Sequence, residues 1–476
     1  MERMMKKLVC FVCAFCLCLA TAVPTWADDG NPLAGATSIG TSGTVKGTIN
    51  QDNENDYYKY VVSGNSSVEL KVTFTSHIYR VNLKIFDAGG NETASSYIYA
   101  NDDTNQITEK YTYYLNPGTY YIGVCRAYDD GNYSLSFNTA ALNNTDVTFD
   151  DTVASAHSIP LNTKVSGIVS EASNDEIDIY KLDVTKPGMM KYNFKFYMRT
   201  IYFKLLDAEG NEIEDWYCEW NDNLRMGTES IEFPLETGTY YIEILRTYYD
   251  GKYSFDQAYK DIGSTEKEPN NTLEQAQPLK LGEKVTGMIA IGDDTDFYKI
   301  SVPTKRNITF TVPSKIKNSK IYIYNADGEE VNRAYTDWND NTKKGTLKEI
   351  YKLPAGIYYV QMVSDYYNGT YTLTASTTKA PTQGKITTIK RTKKDWFGNR
   401  SIYLKLGKSS YAEGYQIYVA RNSKLKGASK YVSEGRTFTV GPLGKGAYYV
   451  KVRGYSKNSD GEYIYGKFSK VRSIRL

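Results

Sequence analysis

The 476 residues carry 57 Lys and Arg against 55 Asp and Glu, a formal net charge of +2, and a mean hydropathy of −0.50. That hydropathy excludes a bundle of membrane-spanning helices, and 41% hydrophobic residues exclude a wholly disordered chain. With 44 Tyr but only 2 His, His77 and His157, the composition disfavours imidazole-based catalysis and metal binding, and the length suits three or four domains.

Arg3, Lys6 and Lys7 precede the apolar run Leu8 to Ala22, after which Pro24-Thr25-Trp26-Ala27 lead into Asp28. This order predicts a secretory signal peptide over residues 1–27, cleaved after Ala27. The apolar run, about 15 residues, falls short of the roughly 20 that a spanning helix needs. Cys10, Cys13, Cys16 and Cys18 all lie in this segment, so their metal-like spacing carries no site. Cys125 and Cys218 remain, in different repeats, and are expected to stay unpaired. The chain reads as a bacterial export product, extracellular or non-covalently surface-associated, with no integral membrane span after signal removal.

Self-comparison then reveals three repeats. Gly-Thr-Tyr-Tyr at 118–121 recurs at 238–241 and returns as Gly-Ile-Tyr-Tyr at 356–359. Asp56-Tyr57-Tyr58-Lys59 recurs as Asp178-Ile179-Tyr180-Lys181 and Asp296-Phe297-Tyr298-Lys299. Gly47, Gly167 and Gly287 keep one phase, as do the Gly-x-Tyr triplets that begin at Gly131, Gly251 and Gly369. A period near 120 residues is too long for a solenoid unit and fits a self-sufficient domain used three times. The divisions are 28–142, 143–262 and 263–378.

Each repeat reads as β. Val68-Glu69-Leu70-Lys71-Val72-Thr73-Phe74 alternates as a half-buried strand should, and Asn82 to Phe86 does so before the turn Asp87-Ala88-Gly89-Gly90-Asn91. Tyr120 to Arg126 forms another strand, and no segment sustains a period of 3.6. Short strands between Gly, Asn and Asp turns predict antiparallel sandwiches.

After Lys379 the charge inverts. Residues 380–476 hold 21 Lys and Arg against 5 Asp and Glu, whereas residues 28–379 hold 33 against 49. An acidic body is therefore joined to a basic module, 379–476. Tyr415 to Val419 and Tyr448 to Arg453 alternate as strands, with a turn expected at Gly441-Pro442-Leu443-Gly444.

These markers resemble the bacterial pre-peptidase C-terminal domain family over about residues 28–378. The third copy carries the most specific match, Glu266-Lys267-Glu268-Pro269-Asn270-Asn271-Thr272 followed by Asp293-Asp294-Thr295-Asp296-Phe297-Tyr298. The tail resembles the fibronectin type III repeats of Gram-positive surface proteins through Gly414-Tyr415-Gln416-Ile417 and Tyr449-Val450-Lys451-Val452-Arg453. The resemblances imply an all-β chain of three tandem antiparallel jelly-roll-like β-sandwiches plus a C-terminal fibronectin type III-like β-sandwich. Such modules accompany secreted enzymes, yet no His-Glu-x-x-His, Gly-x-Ser-x-Gly or phosphate-cradling glycine loop is present. The chain is expected not to be an enzyme.

Calcium takes six to eight hard oxygen ligands. In the collagen-binding domains of clostridial collagenases, members of the resembled family, a Glu-x-Glu-x-Asn-Asn segment and an Asp-x-x-Asp turn hold it. The resemblance thus implies a calcium site at Glu266, Glu268, Asn270, Asn271, Asp293 and Asp296. Repeats one and two keep the turn pairs Asn53/Asp56 and Asp175/Asp178 but lack the Glu-x-Glu pair, so the cation is expected in repeat three.

Two aromatic loops share a repeat position, Trp220-Asn221-Asp222-Asn223 and Trp338-Asn339-Asp340-Asn341, where repeat one has Ala100-Asn101-Asp102-Asp103. Trp beside amides and carboxylates suits a sugar face, and the pairs Tyr248/Tyr249 and Tyr366/Tyr367 suit a protein surface. Alternatively, such residues plug a sandwich end. The run Lys390-Arg391-Thr392-Lys393-Lys394, with Lys424 and Lys426, suits an anionic wall polymer or the acidic repeats, and no nucleic-acid-reading motif accompanies it. The sequence therefore points to an exported binding or adhesion protein for an extracellular protein or carbohydrate. The alternative is a spacer or accessory subunit of a separately encoded hydrolase or peptidase.

Overall fold

The computed structural model describes residues 32–99, 106–146 and 150–476. The expected signal segment and Ala100 to Asp103 lie outside the described residues. Helix is confined, among these, to short 3-10 turns such as Pro32–Gly35 and Glu171–Ser173, and no helix is long and apolar enough to cross a membrane.

Repeat one sets the pattern. Its strands are β1 (Thr37–Ser38), β2 (Ser42–Ile49), β3 (Asn55–Val62), β4 (Val68–Ser76), β5 (Arg80–Phe86), β6 (Glu92–Tyr99), β7 (Ile107–Leu115), β8 (Gly118–Arg126) and β9 (Gly131–Ala141). They form two sheets, ordered β1-β3-β8-β5-β6 and β2-β9-β4-β7. Alternation buries Leu70, Val72 and Phe74 from β4 against Leu83, Ile85, Ile122 and Val124 of the facing sheet. Repeats two and three reproduce both sheet orders. Repeat three adds one short strand, Asp337–Asn339, paired with Lys344–Leu353.

The all-β, tandem-sandwich expectation holds, with two local differences. In each repeat the sheet that contains β3 or its counterpart ends in a parallel two-residue edge, Thr37 beside Tyr58, His157 beside Tyr180 and Gln277 beside Tyr298. Two residues are too few to write a periodic pattern, so alternation did not reveal them. In the basic module, Gly441-Pro442-Leu443 does not turn. It ends the strand Thr437–Leu443, where the pairing with Arg400–Leu406 shifts by a bulge. Proline lacks an amide donor and is tolerated where ladder pairing is interrupted. The chain turns instead at 444–446.

The basic module packs a three-stranded sheet on a second sheet around Ile402, Leu404, Ile417, Val450 and Val452. It meets repeat three through Ser459, whose amide donates to Ile350 O at 2.9 Å, and through a Lys352–Glu462 ion pair at 3.0 Å. The lysine belongs to the repeat and the carboxylate to the module. The runs at Lys390–Lys394 and Lys424/Lys426 take no part in this contact and stay exposed.

The repeats join head to tail. Ala172 of repeat two is buried in the core of repeat one, and the Thr93 hydroxyl donates to its carbonyl at 2.9 Å. Ile291 of repeat three is buried in the core of repeat two, and its amide donates to Pro234 O at 3.1 Å. At each junction the same turn, between the strands equivalent to β2 and β3, closes the preceding sandwich.

Candidate functional site: acidic pockets at the repeat junctions

The repeat markers meet in space. In each sandwich the Asp of Asp-x-Tyr accepts a hydrogen bond from the Tyr of Gly-x-Tyr on the facing sheet. The distances are 2.6 Å for Asp56–Tyr133, 2.5 Å for Asp178–Tyr253 and 2.6 Å for Asp296–Tyr371. The second tyrosine, Tyr58, Tyr180 or Tyr298, bonds the first through its hydroxyl. This carboxylate–phenol triplet, buried in repeats two and three and with Asp56 half-buried in repeat one, forms the floor of the candidate site.

In repeat three the acidic residues converge on that floor. One carboxylate oxygen from each of Glu268, Asp293 and Asp296 lies within 4.8 Å of the others, and Glu236, Glu266 and Glu268 form a second such group. Glu266 accepts from Asn270 Nδ2 at 3.1 Å, Tyr371 OH at 2.9 Å and the Met288 amide at 2.9 Å. Asn270 and Asp296 are fully buried, yet Oδ1 of each has no hydrogen-bond partner. An unpartnered buried oxygen is costly unless a ligand meets it. Burial, then the charges of Glu266, Glu268 and Asp293, push Glu236 up to about 8. Burial, with the neighbouring charges of Glu266 and Asp293, pushes Glu268 up to about 7. Asp293 rises to about 6 from burial and Glu266. Hard oxygens crowded this way fit a divalent cation. Asn271 remains exposed.

Repeat two holds a comparable pocket that the Glu-x-Glu pattern missed. Asp146, Asp150 and Asp178 place one carboxylate oxygen each within 4.8 Å of one another, and all three are buried. Neither carboxylate oxygen of Asp150 has a hydrogen-bond partner, and burial raises the carboxyls of Asp150, Asp175 and Asp178. Asp146 and Asp150 stand where repeat three has Glu266 and Asn270, so the repeat shift of 120 residues was the signal. In repeat one, Asn53 Nδ2 bonds Asp56 Oδ1 at 3.1 Å, and its leading segment lies outside the described residues.

The aromatic residues lie elsewhere. Trp220 is half-buried against the core of repeat two, and its indole donates to Asp222 at 2.9 Å. Trp338 donates to Asp340 at 3.1 Å and sits in the added strand rather than in a loop. Asn221 and Asn339 cap the amides of the following turns. Arg199 lies over both Trp220 and Tyr249, placing these rings on one side. In repeat three, Lys317 lies over Tyr367 and pairs with Asp340. Tyr248 and Tyr366 are 85% and 83% exposed.

Two exposed features carry no signal that marked them in the sequence, the set Tyr97, Tyr217 and Tyr335 and the pair Trp396 and Phe397. Tyr97, Tyr217 and Tyr335 occupy one position on the outer edge strand of each repeat. Tyr128 shares the position of Tyr248 and Tyr366. On the basic module, Trp396 and Phe397 are 97% and 85% exposed at a hairpin tip held by Asp395, which accepts the amides of Phe397 and Asn399.

These features define a tandem array of β-sandwich modules with an acidic pocket at module junctions. No family model matches the chain, and no curated protein matches it. Among solved structures, the pre-peptidase C-terminal domain of collagenase from Bacillus anthracis is similar at 26% identity and TM-score 0.18, over 22% of this chain and 100% of that domain. The FN1–FN3 domains of chicken CNTN1 are similar at 14% identity and TM-score 0.19, over 59% of this chain and 90% of theirs. The Endo-D glycoside hydrolase domain from Streptococcus pneumoniae is similar at 12% identity and TM-score 0.16, over 40% of this chain and 33% of its own. TM-scores this low carry no argument about function.

Proposed function

We propose that this chain is an exported, non-catalytic binding protein whose three sandwiches present tyrosines to an extracellular protein or carbohydrate, with calcium in the acidic pocket of repeat three. One observation carries the reading. The same two exposed tyrosine positions recur in every repeat, at Tyr97, Tyr217 and Tyr335 and at Tyr128, Tyr248 and Tyr366. Exposed aromatics cost solubility, and rigid amphipathic rings are what binding surfaces favour. Three weak copies gain by avidity when one ligand spans them. The clustered carboxylates lie within 4.8 Å of one another, closer than the roughly 5–10 Å between the two carboxyl groups of a glycosidase, which supports cation holding over hydrolysis. The basic module, with Trp396 and Phe397 beside Lys393 and Lys394, would retain the protein on an anionic cell-wall polymer.

A spacer, or an accessory subunit of a separate secreted hydrolase or peptidase, is the second reading, and the buried plugs between repeats favour it. Co-sedimentation with insoluble collagen and a glycan panel separates the two. Replacing Tyr128, Tyr248 and Tyr366 with alanine should leave the melting temperature unchanged and abolish retention. A wild-type chain retained by neither probe would support the spacer.

A further inference from the structure

We infer that a divalent cation shared by Glu236 of repeat two and Glu266 and Glu268 of repeat three locks these two repeats together. The inference rests on the reading of repeat three as a calcium module and extends it across the junction. Ile291 buries itself in the core of repeat two and donates its amide to Pro234 O, two residues before Glu236. Asp293 lies two residues beyond Ile291, so one turn both plugs the preceding sandwich and walls the acidic pocket. Glu236 then faces Glu266 and Glu268 across the junction, with one carboxylate oxygen of each within 4.8 Å. Its Oε1 is buried and has no hydrogen-bond partner. Neither does Oδ1 of the fully buried Asn270, whose Nδ2 is held by Glu266.

Three carboxylates in this space repel once ionised unless a cation lies between them. The junction between repeats one and two supplies an internal comparison. There Asn116 occupies the position of Glu236, each four residues before the first tyrosine of the following Tyr-Tyr pair, Tyr120 or Tyr240. Its Nδ2 donates to Asp175 of repeat two, and its Oδ1 accepts from Ser67. A neutral amide closes that contact by hydrogen bonds, so no ion is required across it. The junction between repeats two and three replaces the amide by a carboxylate. It should open when the ion is removed.

The test uses the full chain with calcium alone, or with EGTA, read by small-angle scattering, limited proteolysis and calcium titration. EGTA should enlarge the radius of gyration and expose the link at 261–265, while the link between repeats one and two stays protected. Glu236→Gln should weaken one calcium site by roughly tenfold or more, the scale on which loss of a supporting carboxylate weakens metal sites. Glu236→Asn, which copies the Asn116 arrangement, should give a chain whose shape ignores EGTA. Equal unfolding midpoints in EGTA would show that both variants fold. Calcium binding with no change in shape, or undiminished in Glu236→Gln, would overturn the lock and leave the repeat-three site standing. Absence of calcium binding, or binding unaffected by Asp293→Ala/Asp296→Ala, would overturn both.

Discussion

Glu266 Oε2 lies 2.5 Å from where a Cβ on Gly287 would stand. The carboxylate can approach this strand only because position 287 has no side chain. The equivalent Gly47 and Gly167 leave the same room for the hydroxyls of Tyr133 and Tyr253. Gly287→Ala should therefore displace Glu266 from Tyr371, Asn270 and the Met288 amide. Overpacking of this kind costs about 1–3 kcal/mol. Urea unfolding and calcium titration should show lower stability and weaker binding together. Unchanged values for both would refute the placement of Glu266.

Removing the cation should leave a recognisable dependence on pH. In the ion-free pocket Glu236, Glu268 and Asp293 sit at about 8, 7 and 6, above the ordinary values near 4. Carboxyls raised in the folded state hold protons that the unfolded chain has released. Their contribution is fully present below about pH 4 and is lost as pH rises through 6 to 8. Calorimetry in EGTA should show the melting temperature falling by roughly 3 degrees or more between about pH 5 and pH 8. Saturating calcium, which binds the ionised forms, should flatten that slope or reverse it.

The two cysteines should be chemically silent. Cys125 and Cys218 are buried and free, and burial pushes their thiols up to about 11 and about 12. The thiolate is the reactive form. Alkylation at about pH 8 should proceed only after denaturation, and rapid labelling of the native chain would contradict the burial of both.

The basic module offers a fourth check. Its exposed lysines should retain the chain on isolated walls carrying an anionic polymer, with binding that falls as salt rises. Lys393→Glu/Lys394→Glu should weaken retention several-fold, and Trp396→Ala should weaken it while leaving most of the salt dependence. Retention indifferent to salt would assign the contact to other chemistry.

Much of the fold is legible because burial writes itself as alternation. Val68 to Phe74 and Asn82 to Phe86 alternate in sequence, and those residues lie in facing strands. The repeat markers were also legible, and the structure explains them. Asp-x-Tyr and Gly-x-Tyr recur together because Asp296 and Tyr371, with their counterparts, bond one another across each sandwich. The acidic pockets were only partly legible. Glu266, Glu268, Asp293 and Asp296 follow a pattern, whereas Asp146 and Asp150 reach the same place with different residue types. Glu236 could not be found by local spacing, because it belongs to the preceding repeat and only packing between repeats brings it to Glu266.

The plug that each repeat inserts into the one before it is directional. It gives every module an unlike front and back, the head-to-tail relationship that extends without closing on itself. Gene duplication of such a unit would lengthen the molecule by a fixed step and leave every existing joint undisturbed. Reach could then be adjusted by copy number alone, with each added joint set to an ion-dependent or ion-independent state by one residue, the carboxylate of Glu236 or the amide of Asn116.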